Sequence, residues 1–184
     1  EEECCFGPAC WLWDYLRRSG ASGYLLPLSG GADSSAVATI VMAMCTLVYD
    51  EISANVNGLT VDTDSDDDPD QQVLNDLRRI CGYDVATKES KLLWVPKSSQ
   101  DIANHILHTI FMGTVNSSDI TTLRAKRLGA AIGSYHLTVP IDLMVNAVIK
   151  VFTLACGAGL TPQFLVNGGT LSEDLALQNI QARL

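Results

Sequence analysis

The 184-residue sequence predicts an α/β fold in which a mainly parallel sheet carries helices on both faces. Short apolar runs alternate along the chain with longer segments of helical spacing. The stretch YLLPLSGGADSSAVATIVMAM, residues 24–44, joins an apolar run to an apolar helix through a glycine turn, which is how a βαβ unit opens. Hydrophobic residues make up 47% of the chain, and its length suits one such domain with a substantial core.

Residues 8–18, PACWLWDYLRR, have the spacing of an amphipathic helix closed by Ser19 and Gly20. Residues 23–28 read as a buried strand. Residues 33–48 read as a helix with Val37, Ile40, Val41, Met44 and Val48 on one face. DTDSDDDPD, residues 62–70, is an acidic loop; Asp62, Asp64 and Asp66 have calcium-loop spacing. Asp67 stands where such a loop turns on glycine, and Val73 where it needs a bidentate glutamate, so a solvated loop is preferred.

A helix follows from Gln71 to Cys81, with Asp70 as its N-cap and Gly82 just past its end. Residues 98–107 are helical, with Ser98 and Asp101 spaced as a capping box. HTIFM (108–112) is a strand, and a helix over 118–132 ends near Gly133. SYHLTV (134–139) is a further strand, and residues 141–156 form a strongly apolar helix. VNGG (166–169) is a turn into a last helix whose Leu177, Ile180 and Leu184 share an inward face. There is no internal repeat.

The net charge of −9 argues against a nucleic-acid partner, whose phosphates call for clustered Lys and Arg. No apolar run reaches the roughly 20 residues needed to cross a bilayer, and the acidic start is unlike a signal peptide. A soluble, cytoplasmic protein without a membrane partner is expected. The first residue is not Met and the last helix has no stop signal, so the chain is expected to be truncated at both ends. The six cysteines form no C-x-x-C pair and read as buried free thiols in preference to a metal site.

The chemistry centres on Ser29-Gly30-Gly31-Ala32-Asp33-Ser34. A strand that turns sharply into a helix leaves the helix's first N–H groups unpaired, and with the helix dipole they suit phosphate oxygens. Gly30 and Gly31 can take positive φ and admit a ligand to the backbone. Ser29 and Ser34 supply hydroxyl donors. Asp33 cannot bind a bare anion, and Mg²⁺ bridging it to phosphates is its simplest use. The plain alternative is a tight turn with a side-chain cap; the preceding strand and following apolar helix favour phosphate binding. The lysine of a Walker loop is absent.

LSGGADSS resembles the SGGxDS loop of the ATP pyrophosphatase superfamily, which adenylates substrates with release of pyrophosphate. EEECCFGPACWLWDYLRRSG, FMGTVNSSDITTLRAKRLGAAIGSYHL and LSEDLALQNIQARL together resemble the eukaryotic glutamine-dependent NAD(+) synthetases over nearly the whole chain, the acidic loop excepted. The resemblance implies an adenine nucleotide alpha hydrolase-like, Rossmann-like fold. Residues 1–22 would be the linker and first helix after a fused glutaminase domain, and residues 23–184 the N-terminal part of the synthetase domain.

It implies amidation of deamido-NAD with ATP as co-substrate, Mg²⁺ as cofactor and ammonia drawn from glutamine. Ser29, Gly30, Gly31 and Ser34 would cradle the pyrophosphate part of ATP, with Asp33 as the Mg²⁺ ligand; Ser29, Asp33 and Ser34 are the catalytic candidates. Asn179 and Arg183, four apart on one helix face, suit a dinucleotide phosphate or ribose and would contact deamido-NAD; an exposed helix arginine is the plainer reading of Arg183. Thr114, Asn116 and Ser117 follow a strand end, where α/β crevices bind ligands. Thr114 is the nucleotide candidate, while capping of the next helix is open for the other two.

His136 reads as a core histidine, and Arg124, Lys126 and Arg127 as a solvated face. Asp174 and Asn167 depart from the family's usual Asn and His. Its later G-S/T-x-N-x-D/E strand and Lys-containing loop do not occur before Leu184. Self-association is expected, as synthetase domains of this family pair through helices, with residues 141–156 as the candidate surface. The alternatives are a sister amidotransferase, such as asparagine or GMP synthetase, and a nucleotide-binding module without catalysis. Acidity disfavours a tRNA-modifying role.

Overall fold

A computed structural model describes residues 2–56, 69–83, 94–157 and 161–183. They fall into two compact units. Glu1–Phe111 with Ser118–Leu137 form the first, and Met112–Ser117 with Thr138–Leu184 the second.

In the first unit, α1 (Glu2–Ser19) begins six residues earlier than the sequence predicts and runs through Pro8. Glu2 and Glu3 in its first turn and Arg17 and Arg18 in its last complement the helix dipole. Gly20, at φ 71°, follows its end. β1 (Tyr24–Pro27) leads through buried Leu28 into α2 (Ala32–Val56), which is longer than predicted.

Ala38, Val41, Met44, Cys45, Val48 and Ile52 of α2 are buried, whereas Val37 is 45% exposed. The inward stripe is therefore rotated away from Val37, because Ala38 and Cys45 take the closest positions. Ala32–Ala54 is, by length and composition, apolar enough to cross a membrane, which corrects the expectation that no run reaches that length. Its buried residues belong to the unit's core cluster.

α3 (Pro69–Ile80) starts at Pro69, so Asp70 lies inside the helix and is not its N-cap. Proline suits the first helical position, where the N–H it lacks has no intrahelical partner. The end is as expected. Tyr83 N–H donates to Arg78 O (2.8 Å) and Gly82 N–H to Arg79 O (3.2 Å), with Gly82 at φ 78°.

α4 (Ser99–Ile106) is capped by Ser98, whose Oγ accepts from Asp101 N–H at 3.1 Å. The Asp101 carboxylate accepts from Lys97 N–H (3.0 Å), one residue before the position a full capping box would use. The helix feeds directly into β2 (Leu107–Gly113), which pairs parallel to β1 with Tyr24 opposite Leu107 and Pro27 opposite Ile110. α5 (Asp119–Ile132) is capped by Ser118 and closed by left-handed Gly133. β3 (Tyr135–Pro140) completes the order β1-β2-β3 of a three-stranded parallel sheet, as the sequence predicts.

Gly129 of α5 lies against His136: a Cβ there would meet the ring's Cγ at 3.0 Å. His136 Nδ1 and Thr109 Oγ1 are 2.9 Å apart, and Thr109 Oγ1 and Ser134 Oγ also 2.9 Å. Among the described residues His136 Nε2 is buried without a partner, so the expected core histidine is satisfied there at one nitrogen only. Burial first, then the charge of Lys126, lower its pKa.

In the second unit, α6 (Asp142–Cys156) buries Val145 and leaves Leu143, Val151 and Leu154 exposed. A short 3₁₀ turn (Leu165–Asn167) and Gly168, at φ 93°, lead to α7 (Leu171–Arg183). Thr170 and Glu173 cap α7 reciprocally. Glu173 N–H donates to Thr170 Oγ1 (3.3 Å) and Thr170 N–H to Glu173 Oε2 (2.6 Å). Asp174 Oδ1 accepts from Leu165 N–H at 3.0 Å, tying the turn to the helix. Leu177 is buried as expected, Ile180 half-buried, and Leu184 lies outside the described residues.

Candidate functional site

The turn from β1 into α2 brings Ser29, Gly31 and Ser34 together. Ser29 Oγ and Ser34 Oγ are 3.1 Å apart, Gly31 N–H donates to Ser29 Oγ (3.2 Å), and Ser29 N–H donates to Ser34 Oγ (3.3 Å). Ser35, to which the sequence assigns no role, donates its hydroxyl to Gly31 O at 2.6 Å. The adjacent serines of D-S-S could have flagged it, since a serine one turn into a helix can bond back to the carbonyl four residues earlier.

Helical bonding begins where Ser35 N–H reaches Gly31 O (3.3 Å). The N–H groups of Ala32, Asp33 and Ser34 have no acceptor among the described residues. Three free donors at the start of a helix, with two hydroxyls beside them, can receive oxyanions.

The two glycines differ. Gly30 has φ 78°, and a Cβ on it would sit 2.4 Å from the backbone oxygen of Thr121 in α5. The packing of α5 by itself requires glycine here, and the positive φ expected of both glycines is found at Gly30 and not at Gly31. Gly31 has only Ser29 Oγ within 4 Å of a Cβ position, at 3.3 Å, so a ligand can approach its backbone.

Asp33 lies in the first turn of α2, exposed, with no donor to its carboxylate among the described residues. Its place beside the dipole's positive end is favourable in itself. Among the described residues there is no group of three or more His, Cys, Asp or Glu able to hold a metal. A single free carboxylate still fits Mg²⁺, which commonly takes one or two protein carboxylates and completes its shell with phosphates and water.

Thr114, Asn179 and Arg183 belong to the second unit. Thr114 begins the loop that leaves β2. Its N–H donates to Ser117 Oγ (2.9 Å) and its Oγ1 accepts from Asn116 N–H (3.3 Å). Ser117 thus serves the loop itself, and Ser118 caps α5. Asn179 and Arg183 share an exposed face of α7, as their spacing predicts; Arg183 Nη1 donates to Asn179 Oδ1 at 2.7 Å. The calcium-like positions 62–68 lie outside the described residues.

Of the cysteines, Cys45 is buried, Cys5 and Cys81 are half-buried, and Cys4, Cys10 and Cys156 are exposed, so burial of all six is not observed. Burial pushes the Cys45 and Cys81 thiols up to about 12.

No family model matches the chain. Over its whole length it is 50% identical to a glutamine-dependent NAD(+) synthetase of Oryza sativa subsp. indica, 47% to that of Saccharomyces cerevisiae and 40% to that of Homo sapiens. It spans 22%, 22% and 23% of those relatives' lengths. Among solved structures, a glutamine-dependent NAD(+) synthetase from Cytophaga hutchinsonii superposes with a TM-score of 0.64 at 25% identity, covering 94% of this chain and 25% of that one. By sequence along its whole length and by fold, the chain is homologous to one segment of the glutamine-dependent NAD(+) synthetases.

Proposed function

We propose that the chain is a segment of the synthetase domain of an enzyme that amidates deamido-NAD to NAD with ATP, releasing pyrophosphate and AMP. The observation that carries this reading is the Ser29–Ser34 turn, with three N–H groups and an Asp33 carboxylate that have no partner among the described residues. The homologous synthetases support the choice of acceptor.

In this reaction the nicotinate carboxylate of deamido-NAD attacks the α-phosphorus of ATP. A P–O bond forms, the bond to the bridging oxygen breaks, and pyrophosphate departs with that electron pair. Ammonia then displaces AMP from the mixed anhydride. The N–H groups of Ala32, Asp33 and Ser34 and the hydroxyls of Ser29 and Ser34 bind the phosphate oxygens and receive their growing charge. Mg²⁺, held by Asp33, would neutralise further phosphate charge. No side chain acts as a nucleophile; the work is positioning and charge neutralisation.

Thr114 would contact ATP, and Asn179 and Arg183 deamido-NAD. Ammonia would come from glutamine at a fused glutaminase domain of the longer cytoplasmic protein. Self-association through α6 is supported by Leu143 and Leu154, 84% and 80% exposed on an apolar helix; a monomer by light scattering of the longer protein overturns it.

The test of the reaction is pyrophosphate release from Mg-ATP and ammonium by the longer protein, with and without deamido-NAD. Release that requires deamido-NAD is expected. Release only with aspartate or xanthosine monophosphate would point to a sister synthetase, and ATP binding without release to a non-catalytic module.

A further inference from the structure

The loop after β2 is tied to the start of α6. Ile141 N–H donates to Gly113 O (2.8 Å), and Val115 N–H donates to the Asp142 carboxylate (Oδ1, 3.1 Å). Within the loop, Ser117 N–H donates to Thr114 O (2.9 Å), alongside the Thr114 and Asn116 donors already described. Every backbone N–H from Thr114 to Ser117 thus has an acceptor, and only that of Val115 is satisfied from outside the loop. The Val115 side chain is 85% exposed, so packing does not hold this residue in place.

We propose that Asp142 is a positioning residue for nucleotide binding, acting through Val115 on Thr114. It rests on the reading of Thr114 as an ATP contact. Thr114 Oγ1 already accepts from Asn116 N–H, so its hydroxyl proton is free to donate to a phosphate or ribose oxygen. The direction of that donor follows the loop backbone, and Asp142 sets the backbone at the next residue. The plainer role of Asp142 is a first-turn carboxylate that complements the α6 dipole. The two roles separate experimentally, because asparagine keeps the acceptor oxygen and loses the charge.

The test compares Asp142→Ala, Asp142→Asn, Thr114→Ala and the Asp142→Ala/Thr114→Ala double variant in the longer protein. The readouts are the ATP KM of deamido-NAD-dependent pyrophosphate release, ATP affinity by calorimetry and melting temperature. Asp142→Ala is expected to raise the KM and Kd for ATP by roughly tenfold, the scale of a hydrogen bond to a charged group, with kcat within about twofold. Asp142→Asn is expected to recover most of that loss, and the double variant to match Thr114→Ala.

Unchanged ATP binding in Asp142→Ala, equal losses in the Ala and Asn variants, or multiplying losses in the double variant would overturn the proposal. So would failure of Asp142→Ala to fold, which would make the residue structural. If the unaltered protein binds ATP but does not use deamido-NAD, the proposed reaction fails while the affinity series still decides the role of Asp142. No ATP binding at all overturns both.

Discussion

Gly30→Ala and Gly31→Ala should separate a packing role from a binding role within one turn. Alanine at φ 78° costs about 1–2 kcal/mol in the left-handed region. Its Cβ would also sit 2.4 Å from Thr121 O, well inside van der Waals contact and against backbone that cannot swing aside. Relief requires a shift of α5, at roughly 1–3 kcal/mol for such overpacking. Together the loss is about 2–5 kcal/mol, a large part of the roughly 5–15 kcal/mol that stabilises an ordinary domain.

Gly31→Ala has no such penalty. Its φ is not positive, and its Cβ would meet only the Ser29 hydroxyl, at 3.3 Å. Its stability is expected within about 0.5 kcal/mol of the parent, while the added methyl obstructs phosphate approach and weakens ATP binding. Urea unfolding followed by circular dichroism, paired with ATP titration calorimetry, measures both. A Gly30→Ala protein within about 0.5 kcal/mol of the parent would refute the packing argument. A Gly31→Ala protein that binds ATP normally would refute the binding argument.

Further outcomes follow from the core and the thiols. Thr109→Val removes the hydroxyl between Ser134 and His136 and leaves His136 Nδ1 unsatisfied, so a loss of about 1–3 kcal/mol is expected in urea unfolding. Because the folded-state pKa of His136 lies below its ordinary 6.5, the unfolded chain binds the proton more readily. The contribution is full above 6.5 and is lost as pH falls below that value and through the lower folded-state pKa, so unfolding free energy should decline on acidification, less steeply in His136→Gln. Native alkylation near neutral pH should label Cys4, Cys10 and Cys156, and Cys45 only after unfolding, as peptide mapping would reveal.

Elements whose ends are written locally were legible. Gly133 closes α5 as the sequence predicts, although the cap at its start is Ser118 and neither Asn116 nor Ser117, and Gly82 closes α3 through its left-handed φ. The sequence makes α1 too short because Pro8 looks like a start, although helical bonding continues on its N-terminal side. Hydropathy misplaces the inward face of α2 at Val37 by favouring the larger side chain, while packing selects Ala38 and Cys45. Thr170-x-x-Glu173 is a capping box legible in the sequence that the helical periodicity of the last segment overshadows.

The site divides the same way. Ser29, Gly31 and Ser34 lie within six residues, and a glycine turn between strand and helix dictates their convergence. Asn179 and Arg183 pair because they are one helical turn apart. The close packing of Gly30 against Thr121 was not legible, since Thr121 lies far along the chain. Nor was Asp142, whose bond joins residues 27 apart.

The most direct test of the turn as a pyrophosphate cradle with a metal-holding carboxylate is the Mg²⁺ dependence of pyrophosphate release in the longer protein and its Asp33→Ala variant, with deamido-NAD and ammonium present. The variant is expected to keep its fold, bind ATP and lose at least about 100-fold in release rate, the scale of removing one transition-state stabiliser. Release within a few-fold of the parent, with the same Mg²⁺ dependence, would contradict it.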